Sequence, residues 1–517
     1  NPRIDRRHAH SVALAAFFRD AKESAGREWK TAGDFFLPEA GGGLDRGATD
    51  RSVKGIEGDC PARRVRAFLT PVPEDVSAAL RAVLPKAVAD QIGASSGEWV
   101  DELDALLGQV QAELAHDVAT FEERRREAFE SRRSDLAARF ERSVNTITRR
   151  PLIGFLANRN ILPKYGFPVD TVELRTAHCD SQVGARLELT RDLSVAIHEY
   201  APGAELVAGG VLWRSAGIYR LPGRELITRS YTVCRGCQHY REGGDDLEPA
   251  CTACGRPADG PVREYCVPEF GFVADPKTSK PGTAPPQRSW GGAVHVVSLG
   301  SELAESCWRS GGGAMVWCHS GTRGRLVSLA EGPGGSGYLI CDWCGWGGVN
   351  RGRPPKSHVN PLRGKTCTGP LRWRSLAHTY ETDILRLHLD APGLHGKSEG
   401  RAQWHSLLQA LLEGCAEGLE ISRGDIDGVV HAGADGRSGL VLFDTVPGGA
   451  GSASRIAAAL DLGVAAALRR VRACDCGLET SCYGCLRTPS NERYHEDLSR
   501  GAALEVLESL AGLRPDA

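Results

Sequence analysis

The sequence predicts an α+β multidomain protein whose helical N-terminal region contains a long helical hairpin or coiled segment. It further predicts zinc-ribbon β modules in the middle and an α/β C-terminal domain that is closed by a four-cysteine zinc cluster. Three observations lead to this fold class. Apolar residues recur at helical spacing from about Glu98 to Thr148, eleven of the seventeen cysteines fall into three clusters, and strands alternate with helices after His378.

The overall composition is that of an ordinary globular protein. Its 517 residues, 41% hydrophobic and 25% charged, are enough for several domains with cores of their own. The net charge of −2 means that any nucleic-acid-binding surface has to be local. Because there is no long apolar run and no signal-like start, we expect no membrane association. Paired cysteines in such a chain favour metal binding over disulfides, which predicts a cytoplasmic location.

The start of the chain predicts that it belongs to a longer protein. Residue 1 is Asn, and the one methionine is Met315. Because a translated chain normally begins with methionine, we expect a fragment or a processed piece.

The first 150 residues are predicted to be mainly helical. Residues 1–60 form a helical and loop segment, in which a basic helix (Arg3–Arg19) precedes a glycine-rich loop (Glu39–Gly47). Residues 61–150 form a long helical region, which Pro151 ends. Its apolar positions with helical spacing are Leu103, Leu106, Leu107, Val110, Leu114, Val118, Phe121, Leu136, Phe140, Val144 and Ile147.

The middle of the chain is predicted to be rich in strands. Residues 151–230 form a β-containing connector, in which Ala185–Thr190 and Ser194–Tyr200 alternate like strands. The predicted segments that follow are a zinc ribbon (231–275), a Pro-rich linker (276–290) and a second zinc-binding β module (291–375).

Residues 376–517 are predicted to form an α/β domain that ends in the third cysteine cluster and a last helix. The predicted strands are Ile384–Leu389 and Gly439–Phe443, and the predicted helices are Gln403–Glu417, Ala453–Arg469 and Gly501–Leu513.

The first cysteine cluster has the spacing of a zinc ribbon. It pairs Cys234 and Cys237 with Cys251 and Cys254, and two such CxxC pairs supply the four ligands of a tetrahedral Zn²⁺ ion. Four protein ligands leave no position for a reactive water, so this zinc is predicted to be structural.

The second and third clusters depart from that pattern. In the second, Cys341, Cys344 and Cys367 need a fourth ligand, for which the candidates are His358, Cys318 and His319. His358 is favoured because it precedes Cys367 in the same loop. The third cluster begins with an unusual C-x-C pair and is predicted to bind zinc, with an iron–sulfur centre as the alternative; its ligands are Cys474, Cys476, Cys482 and Cys485.

A glycine-rich turn joins the second predicted strand of the last domain to the helix that follows. Its glycines Gly448, Gly449 and Gly451 either direct backbone N–H groups at a phosphate or form a tight turn that needs small residues. Asp444 before the turn and Asp383 at a comparable strand end are candidate ligands of a divalent cation for phosphodiester chemistry. A structural role for both carboxylates is the alternative.

ATP-binding motifs are missing from the sequence. Gly396-Lys397-Ser398 resembles the end of a phosphate-binding loop, but Ala391 stands where the motif needs its first glycine. No DEAD-like or DEAH-like box occurs.

The C-terminal residues resemble a known family. They are similar, over about residues 376–510, to the domain shared by YprA/MrfA-like superfamily 2 helicases and by DrmB of the DISARM phage-defence system. The matching motifs are His378-x-Tyr-x-x-Asp383, Trp404-x-Ser-Leu-Leu, Asp444-x-x-Pro-Gly-Gly-Ala-Gly451, the third cysteine cluster, Asn491 and Leu498-x-Arg500-x-x-Ala503. Upstream, Arg6-Arg7-His8 and the segment from Asn158 to Pro168 resemble the post-motor region of large defence helicases, including Druantia-like ones.

This resemblance implies the non-catalytic C-terminal half of an ATP-dependent DNA helicase or translocase in anti-phage defence or DNA repair. ATP would then be bound only by an upstream motor that this sequence does not contain. The implied partners are DNA, a helicase motor in cis or in trans, and other defence subunits. Phosphate contacts are expected from basic residues near the first two clusters, namely Arg235, Arg256, Arg351, Arg353 and Lys356.

Two other functions stay open at this point. One is a stand-alone, DrmB-like subunit that binds and stimulates a separate helicase. The other is a metal-dependent phosphodiester enzyme that uses Asp383 and Asp444.

Overall fold

The computed structural model describes most of the chain. The described residues are 2–38, 60–84, 86–91, 93, 97–159, 161–162, 170–243, 250–257, 260–286, 292–300, 303–349, 353–391, 394, 400–432 and 438–516. The predicted glycine-rich loop at 39–47, the sequence at 396–398, most of the segment from 158 to 168, and Arg351 lie outside these residues.

Helices are concentrated in the first third of the chain and in its last quarter. They are α1 (Pro2–Ala25), α2 (Ala32–Phe36), α3 (Pro61–Phe68), α4 (Glu74–Val83), α5 (Lys86–Gln91), α6 (Glu98–Glu130), α7 (Ser134–Thr148), α8 (Leu152–Asn158), α9 (Leu193–Glu199), α10 (Arg401–Gly418), α11 (Ser452–Ala458), α12 (Leu460–Ala473) and α13 (Arg500–Ser509).

Strands occupy most of the region between these two helical parts. They are β1 (Thr171–Arg175), β2 (Leu189–Asp192), β3 (Glu205–Ala208), β4 (Val211–Ile218), β5 (Ile227–Val233), β6 (Tyr240–Glu242), β7 (Arg263–Val267), β8 (Phe272–Ala274), β9 (Gly292–Ser298), β10 (Leu303–Arg309), β11 (Met315–Ala330), β12 (Tyr338–Cys341), β13 (Gly347–Gly348), β14 (His358–Val359), β15 (Thr366–Cys367), β16 (Leu371–Asp390), β17 (Ile426–Ala432), β18 (Ser438–Asp444) and β19 (Arg514–Pro515). The α+β fold class predicted from the sequence is thus confirmed.

The chain forms two compact units, each assembled from separate segments. Unit 1 comprises Asn1–Ile227, Cys266–Gly292 and Ala330–Ala377, and unit 2 comprises Thr228–Tyr265, Ala293–Leu329 and His378–Ala517. The second zinc candidate therefore belongs to unit 1, and the first and third belong to unit 2.

Unit 1 is built around the long helical hairpin that the sequence predicts. Helices α6 and α7 pack together, and the apolar positions with helical spacing form the core with α1 to α4. A five-stranded sheet in the order β2-β1-β8-β4-β3 completes the unit, with β1 and β8 parallel.

A buried ionic network joins α6 to this sheet. Arg175 of β1 donates to Glu113 at 2.8 Å and to Asp117, both of which lie on α6. Asp117 also accepts from the Tyr219 hydroxyl at 2.7 Å, and the Arg175 guanidinium lies 3.8 Å from the centre of that ring. Because buried charges are costly unless paired, these partners explain how a core helix carries two carboxylates.

Of the two strands predicted in the connector, Ala185–Thr190 is a strand only from Leu189 onward, and the other is wrong. Residues 194–200 alternate like a strand, but Leu193–Glu199 form helix α9. The carboxylate of Asp192 accepts a hydrogen bond from the Ser194 N–H at 2.6 Å and so caps the helix. Leu193, Ala196 and Ile197 are buried at the i, i+3 and i+4 spacing of a helix face, which overrides the alternation.

Unit 2 places helices against antiparallel strands. Its C-terminal core is formed mainly by α10, α12 and α13 with residues of β16, β17 and β18. Strand β18 pairs with β17 and with residues 384–387 of β16. The helix predicted at Ala453–Arg469 is two helices, α11 and α12, because the backbone at Ala459 leaves helical geometry.

None of the helices among the described residues combines the length and apolar character that a membrane crossing requires.

Candidate metal centres

The first cysteine cluster follows strand β5 in unit 2. The sulfur atoms of Cys234, Cys237, Cys251 and Cys254 all lie within 4.8 Å of one another. The pairs between the two turns are 3.7 Å apart for Cys234 and Cys254 and 3.6 Å apart for Cys237 and Cys251. The structure therefore brings together the four predicted ligands.

The second cluster lies in unit 1 and includes His358. The sulfur of Cys341 is 3.8 Å from that of Cys367, and the sulfur of Cys344 is 3.2 Å from Nε2 of His358. All four ligand atoms lie within 4.8 Å of one another. His358 is thus the candidate whose ligand atom lies with the three sulfurs, whereas the alternative candidates Cys318 and His319 lie in strand β11 of unit 2.

The third cluster follows helix α12, which ends at Ala473. The sulfur of Cys474 is 3.5 Å from that of Cys476 and 3.4 Å from that of Cys482, and Cys476 is 3.7 Å from Cys485. The tight C-x-C pair therefore reaches the same point as the CxxC knuckle.

These separations test whether zinc fits. A tetrahedral ion with Zn–S bonds of about 2.3 Å holds its sulfur ligands about 3.8 Å apart. The S–S distances given above, between 3.4 and 3.8 Å, agree with that geometry. They are far longer than the roughly 2.0 Å of a disulfide, and the cysteines are free. Three donor sets in the described part of the chain therefore suit zinc, as predicted.

One thiol in each of the last two clusters is biased towards the thiolate that a metal requires. Hydrogen bonding from Cys344 lowers the pKa of Cys341 to about 5, against the opposing effect of burial. The backbone N–H groups of Trp343 and Cys344 also point at the Cys341 sulfur, at 3.4 and 3.5 Å. A hydrogen bond from Cys474 similarly lowers the pKa of Cys482 to about 7. The hydrogen bond that lowers the pKa of Cys341 raises that of Cys344, so one sulfur of that pair carries the negative charge more readily than the other.

The second knuckle is seated on the five-stranded sheet of unit 1. The Ile218 N–H donates to the carbonyl of Gly345 at 2.9 Å, and Gly217 bridges to Trp346. Gly345 has φ +74°, and a Cβ there would lie 2.0 Å from the Ile218 carbonyl oxygen. Only glycine allows this close approach of the two backbones.

Residues of the predicted family motif hold the third cluster. The buried Asn491 donates to Gln409 of α10 at 2.9 Å and to the carbonyl of Leu486 at 2.8 Å. The N–H and the guanidinium of Arg500 donate to the carbonyls of Thr480 and Val471, respectively. These contacts attach both ends of the cysteine loop to the helical core.

The glycine-rich turn uses its amides within the protein. The N–H groups of Gly448 and Gly449 donate to the carbonyls of Glu381 and Val446, respectively, and that of Gly451 donates to the Asp383 carboxylate at 3.0 Å. This is the arrangement of a tight turn. A Cβ on Gly449 would lie 2.2 Å from the Asp383 carboxylate, so that position has no room for a side chain.

Asp444 and Asp383 both anchor this turn. The fully buried Asp444 carboxylate accepts from the N–H groups of Ala450, Ser452 and Ala453, the last at 2.8 Å. Asp383 is half-buried, and burial raises its pKa. Neither belongs to one of the groups of potential metal ligands found among the described residues.

The predicted phosphate-contacting side chains lie on the surface. Arg235 and Arg256 are exposed beside the first cluster, and Arg353 and Lys356 are exposed beside the second. The first two are carried by a module with no basic excess, since residues 234–256 contain three Arg and four acidic residues. Residues 341–375, by contrast, contain seven Lys or Arg and one Asp.

Sequence reasoning missed one surface residue, Trp343. It lies inside the second knuckle with 66% of its surface exposed. The sequence did contain one signal for this surface: residues 341–375 have a basic excess, which the other two cysteine modules lack.

Comparison with known proteins places these sites in context. Residues 407–486 match the family model described as "MrfA Zn-binding domain". The predicted resemblance to MrfA-like proteins is thereby confirmed for this region. The matched residues include the glycine-rich turn and the whole third cluster, which favours zinc over an iron–sulfur centre there.

The chain is also similar over its whole length to a Druantia protein. It is 24% identical, over 578 aligned residues, to Druantia protein DruE from Escherichia coli. The match covers 100% of this chain and 30% of that relative, so the chain spans less than a third of the relative's length.

Two solved structures show a weaker likeness. They are the DUF1998 helicase MrfA bound to DNA, with 12% identity and a TM-score of 0.32, and the same helicase bound to DNA and AMPPNP, with 11% identity and a TM-score of 0.24. The matches cover 63% and 62% of this chain and 32% and 29% of those chains. Both TM-scores are too low to establish a shared overall fold.

Proposed function

We propose that this chain is the non-catalytic C-terminal half of an ATP-dependent DNA helicase or translocase of bacterial anti-phage defence or DNA repair. The observation that carries the proposal is the match of residues 407–486 to the MrfA Zn-binding domain, within a chain similar to DruE from end to end. Its role is that of a zinc-stabilised scaffold that supports a motor, holds DNA and docks partner subunits.

The geometry of the metal sites supports scaffolding over catalysis. Zinc, when bound, supplies folding free energy by fixing four side chains at one point, here the four ligands of each cluster. A site with four protein ligands has no open position for a water or a substrate. The chain's own residues then provide the surfaces, and the chemistry belongs to the motor.

The experiment compares an ATPase assay of the protein encoded by the whole reading frame with the same assay after Cys344→Ser. We expect DNA-stimulated ATP hydrolysis in the parent protein and a weaker DNA stimulation in the variant, at unchanged basal turnover. ATPase activity that ignores DNA in both proteins would overturn the proposal. Metal analysis of the purified 517-residue chain should find about three zinc ions, from the ligand count.

A second candidate is a stand-alone, DrmB-like partner of a separate helicase. The observation that favours it is the lack of a phosphate-binding loop and of a DEAD/DEAH-type box in the chain itself. The upstream reading frame separates the two candidates, because a motor encoded in frame would exclude the partner hypothesis. If no motor is encoded there, the purified chain should raise the ATPase activity of a helicase supplied in trans.

A further inference from the structure

Trp343 is a large aromatic side chain presented at the surface by a metal-binding turn. It lies between Cys341 and Cys344 and exposes 66% of its surface. The backbone N–H of Trp343 donates to the Cys341 sulfur at 3.4 Å. Gly369 lies beneath the base of the side chain, where a Cβ would be 2.9 Å from Cβ and 2.8 Å from Cγ of Trp343. The backbone at this position is therefore fixed before any ligand arrives.

The neighbouring tryptophan shows what a structural role in this module looks like. The Trp346 ring stacks on His358 at 5.0 Å and an interplanar angle of 25°, so it packs against a predicted zinc ligand. Trp346 is partly buried, and its backbone bridges to Gly217. Packing accounts for Trp346 but leaves most of Trp343 in water.

The module that carries Trp343 has a basic excess in its sequence. Among residues 341–375, Asp342 is the one acidic residue, against seven Lys or Arg. Asp342 is paired with Arg372 at 3.0 Å and with Arg374 at 2.5 Å, and Lys365 is paired with Glu123 and Glu127 of α6, so the basic excess comes from the other four basic residues. Lys356 and Arg363 are exposed in the same module. Such a surface attracts a polyanion.

We propose that the second zinc module binds single-stranded DNA by stacking an unpaired base on Trp343 while its basic side chains contact the flanking phosphates. Every base has a π-face, so stacking on an indole is tolerant of sequence, and it requires a base that is not enclosed in a duplex. A basic groove with an exposed aromatic is the usual composition of such sites. This inference rests on the proposed function, because it specifies how the scaffold holds DNA.

The experiment measures binding of a fluorescently labelled oligo-dT strand to the zinc-loaded 517-residue chain. Replacing Trp343 by Ala should weaken binding about tenfold, from the typical contribution of base–aromatic stacking. Trp343→Phe, which keeps a smaller ring, should recover part of the loss. A duplex of the same length should bind more weakly to the parent chain and respond little to either substitution.

Tyr483 offers a matched control. It lies in the third knuckle, between Cys482 and Cys485, and exposes 63% of its surface, but residues 474–487 contain two acidic residues and one Arg. Tyr483→Ala should therefore change binding less than about twofold. Equal losses in both variants would overturn the assignment to the second module. Zinc content and circular dichroism show whether each variant is folded. If Trp343→Ala is not, the binding of Trp343→Phe is used to judge the proposal.

The salt dependence checks the phosphate part separately. Lys356→Gln should reduce the slope of log affinity against log salt by about one, while Trp343→Ala should leave that slope unchanged. Unchanged binding in Trp343→Ala, with DNA still bound, overturns this inference but leaves the proposed function standing. Failure of the parent chain to bind any DNA overturns both this inference and the DNA-holding part of the proposed function.

Discussion

The second and third zinc modules place similar ligand sets in very different surroundings. In unit 2, the third cluster closes a helical core: Cys485 is buried in it, and Cys474, Cys476 and Cys482 pack against it. In unit 1, the second cluster lies among short strands, and its cysteines are not part of the unit's main hydrophobic core. The third module carries a slight acidic excess, whereas the second is strongly basic.

This difference separates two uses of the same metal. A small β module buries too little apolar surface to hold its own shape, so zinc lets it present a surface such as that around Trp343. Where cysteines pack into a large core, zinc instead joins the ends of core elements, here α12 and the loop before α13. Loss of the metal from the second module should therefore unfold only that module, whereas loss from the third should destabilise the whole core of unit 2.

The largest expected effect comes from removing one ligand of each module. Cys485→Ser leaves an incomplete metal site and a polar group inside the core of unit 2, at a cost on the order of 5 kcal/mol in the free energy of unfolding. Cys344→Ser should cost the core of unit 1 less than about 2 kcal/mol. Hydrogen exchange with mass spectrometry is the measurement.

Protection in the Cys485→Ser variant should fall throughout α10, α12 and α13. In Cys344→Ser it should fall between residues 338 and 375 and persist in α6 and α7. Each variant should lose about one zinc ion per chain. If Cys344→Ser lowers protection throughout unit 1 as Cys485→Ser does throughout unit 2, the two modules stabilise their units in the same way.

The next largest effect concerns the glycine-rich turn of unit 2, which two carboxylates hold in place. Asp444→Ala leaves three backbone N–H groups, those of Ala450, Ser452 and Ala453, without their acceptor. We expect a loss of about 3 kcal/mol in the stability of unit 2, from typical costs of unpaired buried donors. Asp383→Ala removes the acceptor of one such group, that of Gly451, and should cost about 1 kcal/mol.

Asp383→Ala also tests the phosphodiester-enzyme hypothesis. If the carboxylates only anchor the turn, any Mg²⁺-dependent DNA cleavage by the purified chain is unchanged in Asp383→Ala, which should remain folded. Cleavage that disappears in this variant, with its circular dichroism intact, would instead establish a catalytic role.

The grouping of the candidate metal ligands was predictable from the sequence because their spacing carries the geometry. The CxxC knuckles and the C-x-C pair each bring two sulfurs to one point through local backbone alone, whereas choosing His358 required only that it lie in the same loop as Cys367. The long hairpin α6–α7 was predictable for a similar reason, since its apolar period extends over many turns.

Features that depend on distant partners were harder to predict. Strand β17 was missed, and β16 is twenty residues long where the sequence indicated only Ile384–Leu389. The residues before Ile384 that lengthen β16 pair with β12, and β16 lies between β11 and β7 in its sheet. The exposure of Trp343 likewise depends on what does not pack against it, and the alternation at 194–200 was overridden by the Asp192 cap.

The smallest predicted effect is on the pH dependence of stability, and it tests whether the core of unit 1 is stable independently of its zinc module. His178 is fully buried, and its Nε2 donates to the carbonyl of Ala274 at 2.8 Å. Burial lowers its pKa from 6.5 to about 3. As the pH falls below 6.5 the unfolded chain takes up the proton first, so the free energy of unfolding decreases until the folded pKa is reached.

Between pH 7.5 and 5.5 this single group should cost unit 1 about 1 kcal/mol. His178→Gln keeps an N–H donor for Ala274 and removes the titration, so its urea midpoint should fall less over that interval. The pKa of His10 and of His116 is lowered by burial to about 4, so some acid sensitivity will remain. The matched control is His358→Cys, which makes the second site all-thiolate and should leave the acid sensitivity of the core unchanged. If His358→Cys abolishes it and His178→Gln does not, then zinc supports the core of unit 1 as it does that of unit 2, and the contrast between the modules fails.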